Sequence, residues 1–295
     1  MDYVLIAELA VSGFFVGLMY ALVSLGIVLI YKTSGLVNLA QGALAMTGAY
    51  VTWAVTAGLG APMWLAILAA IAVLFGLGLA IERLALRRMI GQPVIMTIML
   101  TLGIEIMLRG LMPGVFGAAV KRLDIGIPQA PIFLGELLIN RATLIGGIIA
   151  LGLIVVSLVF FNSRYGIVMR AVADDQTASW SVGIRVERAI AIAWGLGAAT
   201  ATGAGILWGA TQGVDWSLSL LLIKALAIAI LGGLDSIPGV LLAGLIVGVA
   251  ESLATGIIDP MVGAGTRDIV ASVIILLTLL LKPHGLFGRE HIERV

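Results

Sequence analysis

Long apolar runs separated by short polar breaks make up most of this chain. About 20 apolar residues in a helix cross a bilayer core of about 30 Å, and nine stretches approach that length. The run LGLIVVSLVFF at 151–161 lacks the alternation of a β-barrel strand. We therefore expect helical spans, whose backbone groups are satisfied internally. The predicted spans are 10–31, 38–58, 62–81, 93–112, 143–161, 188–210, 219–233, 239–258 and 267–281.

The pattern predicts an all-α polytopic membrane protein, a bundle of about eight to ten transmembrane helices in a single domain over residues 1–295. The seventh and ninth spans are short, which is compatible with kinked or partial crossings. Small residues four apart, such as Gly244 and Gly248, predict close packing between helices.

Composition strengthens this prediction. Hydrophobic residues make up 61% of the 295 residues and charged residues 11%, against about 45–50% and about 25% in soluble domains. Mean hydropathy is +1.17. A soluble chain of this length cannot bury so much apolar surface, so a lipid bilayer must surround much of it.

Charge and residue usage exclude several function classes. The net charge is +1 and no run of Lys or Arg is present, so no nucleic-acid partner is expected. Cysteine is absent, and His284 and His291 both lie in the last dozen residues, which excludes Cys-ligated metals and a histidine site at membrane depth. No lysine follows a glycine, so the phosphate-binding loop GxxxxGK[ST] is missing. We expect no enzyme activity, metal or cofactor in this chain.

The distribution of Lys and Arg predicts the orientation. The N-terminal stretch lacks the basic region of a signal peptide. With nine spans, eleven basic residues fall on one side and four on the other, which places the N-terminus outside and the C-terminus in the cytoplasm. The eleven are Lys32, Arg83, Arg87, Arg88, Arg164, Arg170, Arg185, Arg188, Lys282, Arg289 and Arg294, and the four are Lys121, Arg122, Arg141 and Arg267.

A few ionisable residues fall inside the predicted spans, where each costs a few kcal/mol unless it is paired or faces water. Glu105 and Arg109 are four residues apart in the favourable order for an intrahelical ion pair, although they could also line a pathway. For Lys224 three partners stay open: backbone carbonyls, a carboxylate of another subunit, or a substrate. Glu251 is similar.

Polar side chains at membrane depth are the candidates for a translocation pathway, because a polar solute needs hydrogen-bond partners there. Taken singly, such residues more often join helices to each other. Spacings of four place Thr97, Thr101 and Glu105 on one face of the fourth span. The candidates are Asn38, Gln41, Thr97, Thr101, Glu105 and Gln212.

The largest cytoplasmic connection, residues 162–188, contains an amphipathic pattern. Met169, Val172, Ala173 and Trp180 share a face at helical spacing, with two acidic residues on another face. Such a helix either lies among lipid headgroups or docks into a groove of a cytoplasmic partner.

Two other connections carry predictions. The outer loop 113–142 contains three prolines and is long enough for a short surface helix or turn that meets an extracytoplasmic partner. The turn LGGLDSIPG at 231–239 can end one span and start the next, as a tight turn or as part of a pathway. The residues of this structural turn are Gly232, Gly233, Ser236, Pro238 and Gly239.

Four stretches resemble the permease subunits of bacterial ABC importers of the branched-chain amino-acid type, specifically the LivH-like member of the permease pair. They are GLMYALVSLGIVLIYKTSGLVNLAQGALAMTGAYV (17–51), RAVADDQTASWSVGI (170–184), KALAIAILGGLDSIPGVLLAGLIVGVAESL (224–253) and KPHGLFG (282–288). Two positions depart from the family pattern: Asp235 stands where Gly is more frequent, and Gln41 where His is frequent.

The resemblance implies a permease that moves branched-chain or other hydrophobic amino acids across the bacterial inner membrane by alternating access. It also implies partners: a LivM-like second permease, two ATP-binding subunits that hold ATP and Mg²⁺, and an extracytoplasmic solute-binding protein. Urea, amides or small organic acids, or a stand-alone secondary transporter, are the alternatives. The segment 164–188 becomes the coupling segment, with a helix over 170–182 whose contact residues are Arg170, Val172, Asp174, Asp175, Ser179, Trp180, Gly183 and Ile184.

Overall fold

The computed structural model describes residues 3–89, 92–128, 130–134, 137–263, 265–282 and 284–288. Pro283, Arg289, His291 and Arg294, which entered the predictions above, lie outside these ranges. The described chain is an all-α bundle with one small hairpin. Its helices are α1 (Tyr3–Ser34), α2 (Gln41–Leu59), α3 (Met63–Leu84), α4 (Val94–Phe116), α5 (Arg141–Phe161), α6 (Arg164–Asp174), α7 (Gln176–Ser181), α8 (Val186–Gln212), α9 (Leu221–Gly232), α10 (Ile237–Val262) and α11 (Thr266–Leu281).

The long helices coincide with the predicted spans. Six of those in the described ranges are long and apolar enough to cross a membrane: α1, α3, α4, α5, α8 and α10. The seventh predicted span contains the 12 residues of α9 and the end of a 3-10 helix over Trp216–Leu220. Asp215 caps this 3-10 helix, because its Oδ1 accepts hydrogen bonds from the backbone N–H of Ser217 at 3.1 Å and from the Ser217 hydroxyl.

The loop between α4 and α5, predicted to form a short surface helix or turn, contains a hairpin. Strands β1 (Ile132–Leu134) and β2 (Leu137–Ile139) pair as an antiparallel hairpin. Lys121 and Val214 exchange backbone hydrogen bonds of 2.9 and 2.8 Å, which ties this loop to the residues that follow α8.

Helix α1 occupies the centre of the bundle. Eighty-three per cent of its apolar 18-residue stretch is buried, whereas the corresponding figure for α3, α4, α5 and α10 is 28%. The four outer helices therefore present most of their apolar surface outwards, to lipid or to another subunit. Helix α1 is packed among α5, α8, α9 and α10.

Small residues allow α1 and α10 to touch along their backbones, as the glycine spacing predicted. Gly13 lies against Gly248, and Gly17 lies against Gly244. A Cβ on Gly13 would stand 2.7 Å from the Cα of Val249, closer than real Cβ atoms approach. Because lipid tails are as apolar as the helices, such close van der Waals contact is a main source of helix association in a membrane.

Candidate functional site

The candidate residues at the start of α2 form a buried hydrogen-bonded cluster. Asn38 and Gln41 are both fully buried. The Nδ2 of Asn38 donates to Oε1 of Gln41 at 3.1 Å, and Nε2 of Gln41 donates to the carbonyl of Gly197 at 3.0 Å. The pair joins the entry of α2 to α8, which is the helix-joining alternative left open for these residues.

Three candidates lie on one face of α4, as their spacing predicted. Thr97, Thr101 and Glu105 are all buried. The Thr101 hydroxyl accepts a hydrogen bond from the backbone N–H of Leu39 at 3.4 Å, which places it beside the α2 cluster. Glu105 pairs with Arg109 at 3.4 Å, so the expected intrahelical ion pair is present.

A cleft of about 160 Å³ connects α4 with the segment after α5. Thr97, Gln176 and Trp194 line it, together with the ion pair between Glu82 and Arg87. That pair is bidentate, with N–O distances of 2.9 and 3.2 Å. Sequence reasoning missed Glu82, which is buried one residue beyond the predicted end of its span. The signal in the sequence that could have identified Glu82 was Arg87, five residues later, which carries the opposite charge.

The predicted single helix over 170–182 is wrong, because two helices occupy this region. Asp175 adopts an extended backbone conformation (φ −157°) between α6 and α7. Its Oδ1 accepts from the backbone N–H of Ala178 at 2.9 Å and so caps α7. An aspartate at this position competes with helix continuation by bonding the backbone of the next turn. We call residues 164–184, which contain both helices, the elbow.

The predicted apolar face shared by residues on both sides of this break is also wrong. Met169 and Val172 of α6 are buried against the bundle, but Ala173 is exposed, and the Trp180 side chain of α7 is 69% exposed. Trp180 therefore does not share a buried face with Met169 and Val172. Exposed apolar side chains therefore form a separate set on the elbow: Tyr165, Ile167, Val168, Trp180 and Val182.

The remaining coupling candidates divide between structural and exposed positions. Arg170 donates to the carbonyl of Phe161, and the side chain of Ser179 is buried. Gly183 (φ +85°) follows the end of α7, and the backbone N–H of Ile184 donates a hydrogen bond to the carbonyl of Ser179 at 3.0 Å. Both acidic candidates, Asp174 and Asp175, are exposed.

The turn between α9 and α10 forms one unit with the C-terminal segment. Ser236 caps α10 by accepting from the backbone N–H of Gly239 at 3.1 Å, and Pro238 follows in the first turn, where the lack of an N–H costs nothing. Gly232 packs against the backbone of Gly239, and Gly233 takes a positive φ of +98°.

The segment 284–288 binds this turn through the backbone. The N–H of Leu286 donates to the carbonyl of Leu231 at 2.7 Å, and Lys32 Nζ at the end of α1 donates to the carbonyl of Asp235 at 2.9 Å. Two of the sequence motifs that carried the family resemblance are thus in direct contact.

A charged cluster joins α1, α9, α10 and α11. Oε1 of Glu251, whose side chain is 1% exposed, lies 2.9 Å from Lys224 Nζ and 2.7 Å from Arg267 Nε. The Tyr20 hydroxyl donates to the same oxygen at 3.0 Å. Lys224 therefore has carboxylate partners within this chain, Glu251 and, at 3.2 Å, Asp268; it also donates to the carbonyl of Arg267.

The last candidate, Gln212, ends α8 and lies at a second cleft together with Lys224. Within the described ranges, no three His, Cys, Asp or Glu side chains are grouped in a way that would hold a metal ion.

Comparison with known proteins covers nearly the whole chain. The family model described as "Branched-chain amino acid transport system / permease component" matches residues 9–280. The high-affinity branched-chain amino acid transport system permease proteins LivH of Salmonella typhimurium and BraD of Pseudomonas aeruginosa are 29% and 33% identical, and the alignments cover 96% and 97% of this chain and 96% of each relative.

Among solved structures, the chain is similar to PsaBC from Streptococcus pneumoniae in complex with Fab, with 13% identity and a TM-score of 0.44 over 97% of this chain and 95% of the other. The family match begins within α1 and includes the other long helices described above in full. The chain is a multi-pass membrane protein and belongs to the family of branched-chain amino acid transport system permease components.

Proposed function

We propose that this chain is a transmembrane permease subunit of an ATP-binding-cassette importer that moves branched-chain or other hydrophobic amino acids across the bacterial inner membrane by alternating access. One observation carries the proposal: a whole-chain match to permeases that are named for branched-chain amino acid transport. The proposed orientation places the N-terminus outside and the elbow in the cytoplasm, as the charge distribution predicts.

The proposal requires partners, because the sequence contains no phosphate-binding loop. A second, LivM-like permease would complete the membrane core. Two ATP-binding subunits would hold ATP and Mg²⁺, and an extracytoplasmic protein would deliver the solute. The outward apolar surfaces of α3, α4, α5 and α10 leave area for both a second permease and lipid.

The elbow is the proposed contact with the ATP-binding subunits. Trp180 offers a large exposed side chain, and Asp174 and Asp175 place negative charge beside it. Exposed aromatic residues are enriched in docking surfaces, and charged residues belong to the polar rim of such surfaces. We propose that closure of the ATP-binding subunits moves the elbow. Gln176, at the start of α7, would pass this movement to Thr97 of α4 across the cleft that they share.

Reconstituted uptake tests this function. The chain is co-expressed and purified with a LivM-like permease and two ATP-binding subunits, placed in proteoliposomes and supplied with the solute-binding protein. We expect leucine uptake that requires ATP, with little uptake of urea, amides or small organic acids. ATP-driven uptake of only those other solutes would overturn the substrate class. Uptake by the chain alone, driven by an ion gradient, would overturn the importer assignment.

A further inference from the structure

A second cleft lies at the end of the bundle opposite the elbow, between α1, α8, α9 and α11. Its volume is about 320 Å³, at the lower end of the range of roughly 300–1,000 Å³ typical of small-molecule sites. One wall is aliphatic and consists of Leu220, Leu221 and Ile223. The orientation proposed above places this cleft on the outer side of the membrane.

The cleft presents charges of both signs. Lys224 and Arg267 line it together with Asp268, whose side chain is 85% exposed. Behind them, Glu251 contacts both cations, so that the four groups sum to zero charge. A neutral cluster with both signs at its surface is complementary to a ligand that also carries both signs and has no net charge.

Two buried polar atoms at this cluster lack partners. The Nε1 of Trp208 and the Oε2 of Glu251 make no hydrogen bond with any residue that the structure describes. Trp208 is 6% exposed, lines the cleft and stacks on Tyr20 with ring centroids 4.6 Å apart. A buried indole N–H usually finds an acceptor. An anionic group in the cleft would provide one for Trp208.

We infer that this cleft binds a free aliphatic amino acid as its zwitterion. The ligand carboxylate is held by Lys224 and Arg267, with the Trp208 N–H as a further donor. The ammonium group is held by Asp268, and the aliphatic side chain lies on the wall formed by Leu220 and Leu221. The inference rests on the proposed function for the substrate class, and assigns that substrate a site within this one chain.

Ligand analogues test the charge assignment. Binding of labelled L-leucine to the purified complex in nanodiscs, without ATP and without the solute-binding protein, is competed with leucinamide, which lacks the carboxylate, and with 4-methylpentanoate, which lacks the ammonium group. We expect each analogue to compete about tenfold or more weakly than leucine, because each loses charge-assisted hydrogen bonds. Equal competition by all three compounds would overturn the zwitterion assignment.

Variants locate the site. We expect Asp268→Asn and Trp208→Phe each to weaken leucine binding about tenfold or more, as for loss of a single charge-assisted or buried hydrogen bond. The Trp208→Phe change keeps an aromatic ring against Tyr20. Asp124→Asn, an acidic residue on the loop after α4 and outside this cleft, should bind as the wild type does. Thermal melting of each variant confirms that it is folded.

The outcomes separate the two proposals. Binding that is unchanged in both variants, or absent from a wild-type complex that still imports leucine, overturns the cleft assignment and leaves the importer function standing. A wild-type complex that imports no amino acid at all overturns the proposed function itself, whatever the cleft binds.

Discussion

Gly17 of α1 and Gly244 of α10 are in backbone contact at the centre of the bundle. A Cβ on Gly17 would collide with the Gly244 carbonyl and stand 3.1 Å from the Cα of Leu245. Backbone cannot move aside as a flexible side chain can, so the two helices would have to separate. This crossing fixes α10, which carries Glu251, against α1, which carries Tyr20.

Adding a side chain at this contact should destabilise the bundle. We expect Gly17→Ala to lower the free energy of unfolding by about 1–3 kcal/mol, the usual cost of overpacking. Gly76→Ala in α3 is the control, because a Cβ there meets no atom within 4 Å. Thermal melting in detergent measures both variants. A Gly17→Ala protein that melts at or above the wild-type temperature would contradict the packing described here.

The charged cluster predicts that a second substitution restores part of the stability lost in a first. Lys224→Met leaves the buried Glu251 carboxylate with only Arg267 and Tyr20 as partners. We expect a loss of about 2–3 kcal/mol, below the 3–5 kcal/mol typical of a fully broken buried pair because Arg267 remains. The double variant Lys224→Met/Glu251→Gln should recover part of this loss. A double variant less stable than Lys224→Met would show that the pair is not coupled in this way.

Two substitutions at Asp175 test its role as the cap of α7 separately from its negative charge. Asp175→Ala removes the acceptor for the Ala178 N–H and should destabilise α7 by about 1 kcal/mol. Asp175→Ser keeps an N-cap and removes only the charge. We expect hydrogen exchange in residues 176–181 to rise in Asp175→Ala and to stay near the wild-type level in Asp175→Ser. If transport falls equally in both variants, then the charge of Asp175, rather than its cap, matters for function.

Two threonines on α4 should differ in access to water. The chain has no native cysteine, so a single introduced cysteine is the only thiol in the chain that a labelling reagent can modify. Thr97 lines the elbow-side cleft, whereas Thr101 is fully buried and bonded to Leu39. We expect a cysteine at 97 to react readily with a water-soluble thiol reagent and a cysteine at 101 to react slowly. Faster labelling at 101 would contradict the described cleft.

The contact between the turn and the C-terminal segment predicts a local opening. Gly285 has a φ of +75° and lies against the backbone of Gly233. A Gly285→Val side chain is both strained in this conformation and too large for the space. We expect faster hydrogen exchange at the amides of Leu286 and Phe287, which bond to the turn. Gly263→Val, also at a positive φ but facing open space, is the control for backbone strain alone.

Six of the helices were predictable because their apolar runs are long enough to cross a bilayer. The close contact at Gly244 and Gly248 and the Glu105–Arg109 pair were predictable as well, since both follow from spacings of four residues on a helix. These features depend on local sequence, and the structure confirms them.

The partners of Lys224 and the two helices of the elbow could not be predicted from local sequence patterns. The partners of Lys224 lie 27 and 43 residues away, and only the packing of α9, α10 and α11 brings them together. Residues 170–182 of the elbow were predicted as one helix because the apolar periodicity continues past Asp175, whose capping role overrides that periodicity. The roles of the pathway and coupling residues remain predictions that the experiments above address.

Cross-linking from position 180 tests the central claim most directly. A single cysteine replaces Trp180 in the assembled complex, and a Trp64→Cys variant, exposed at the far end of α3, is the control. We predict that a short reagent with a thiol-reactive end and a photoactivated end joins position 180 to an ATP-binding subunit and that the yield changes when ATP binds, while position 64 gives no such product. An elbow that cross-links to no ATP-binding subunit, in a complex that still imports amino acids, would contradict the account.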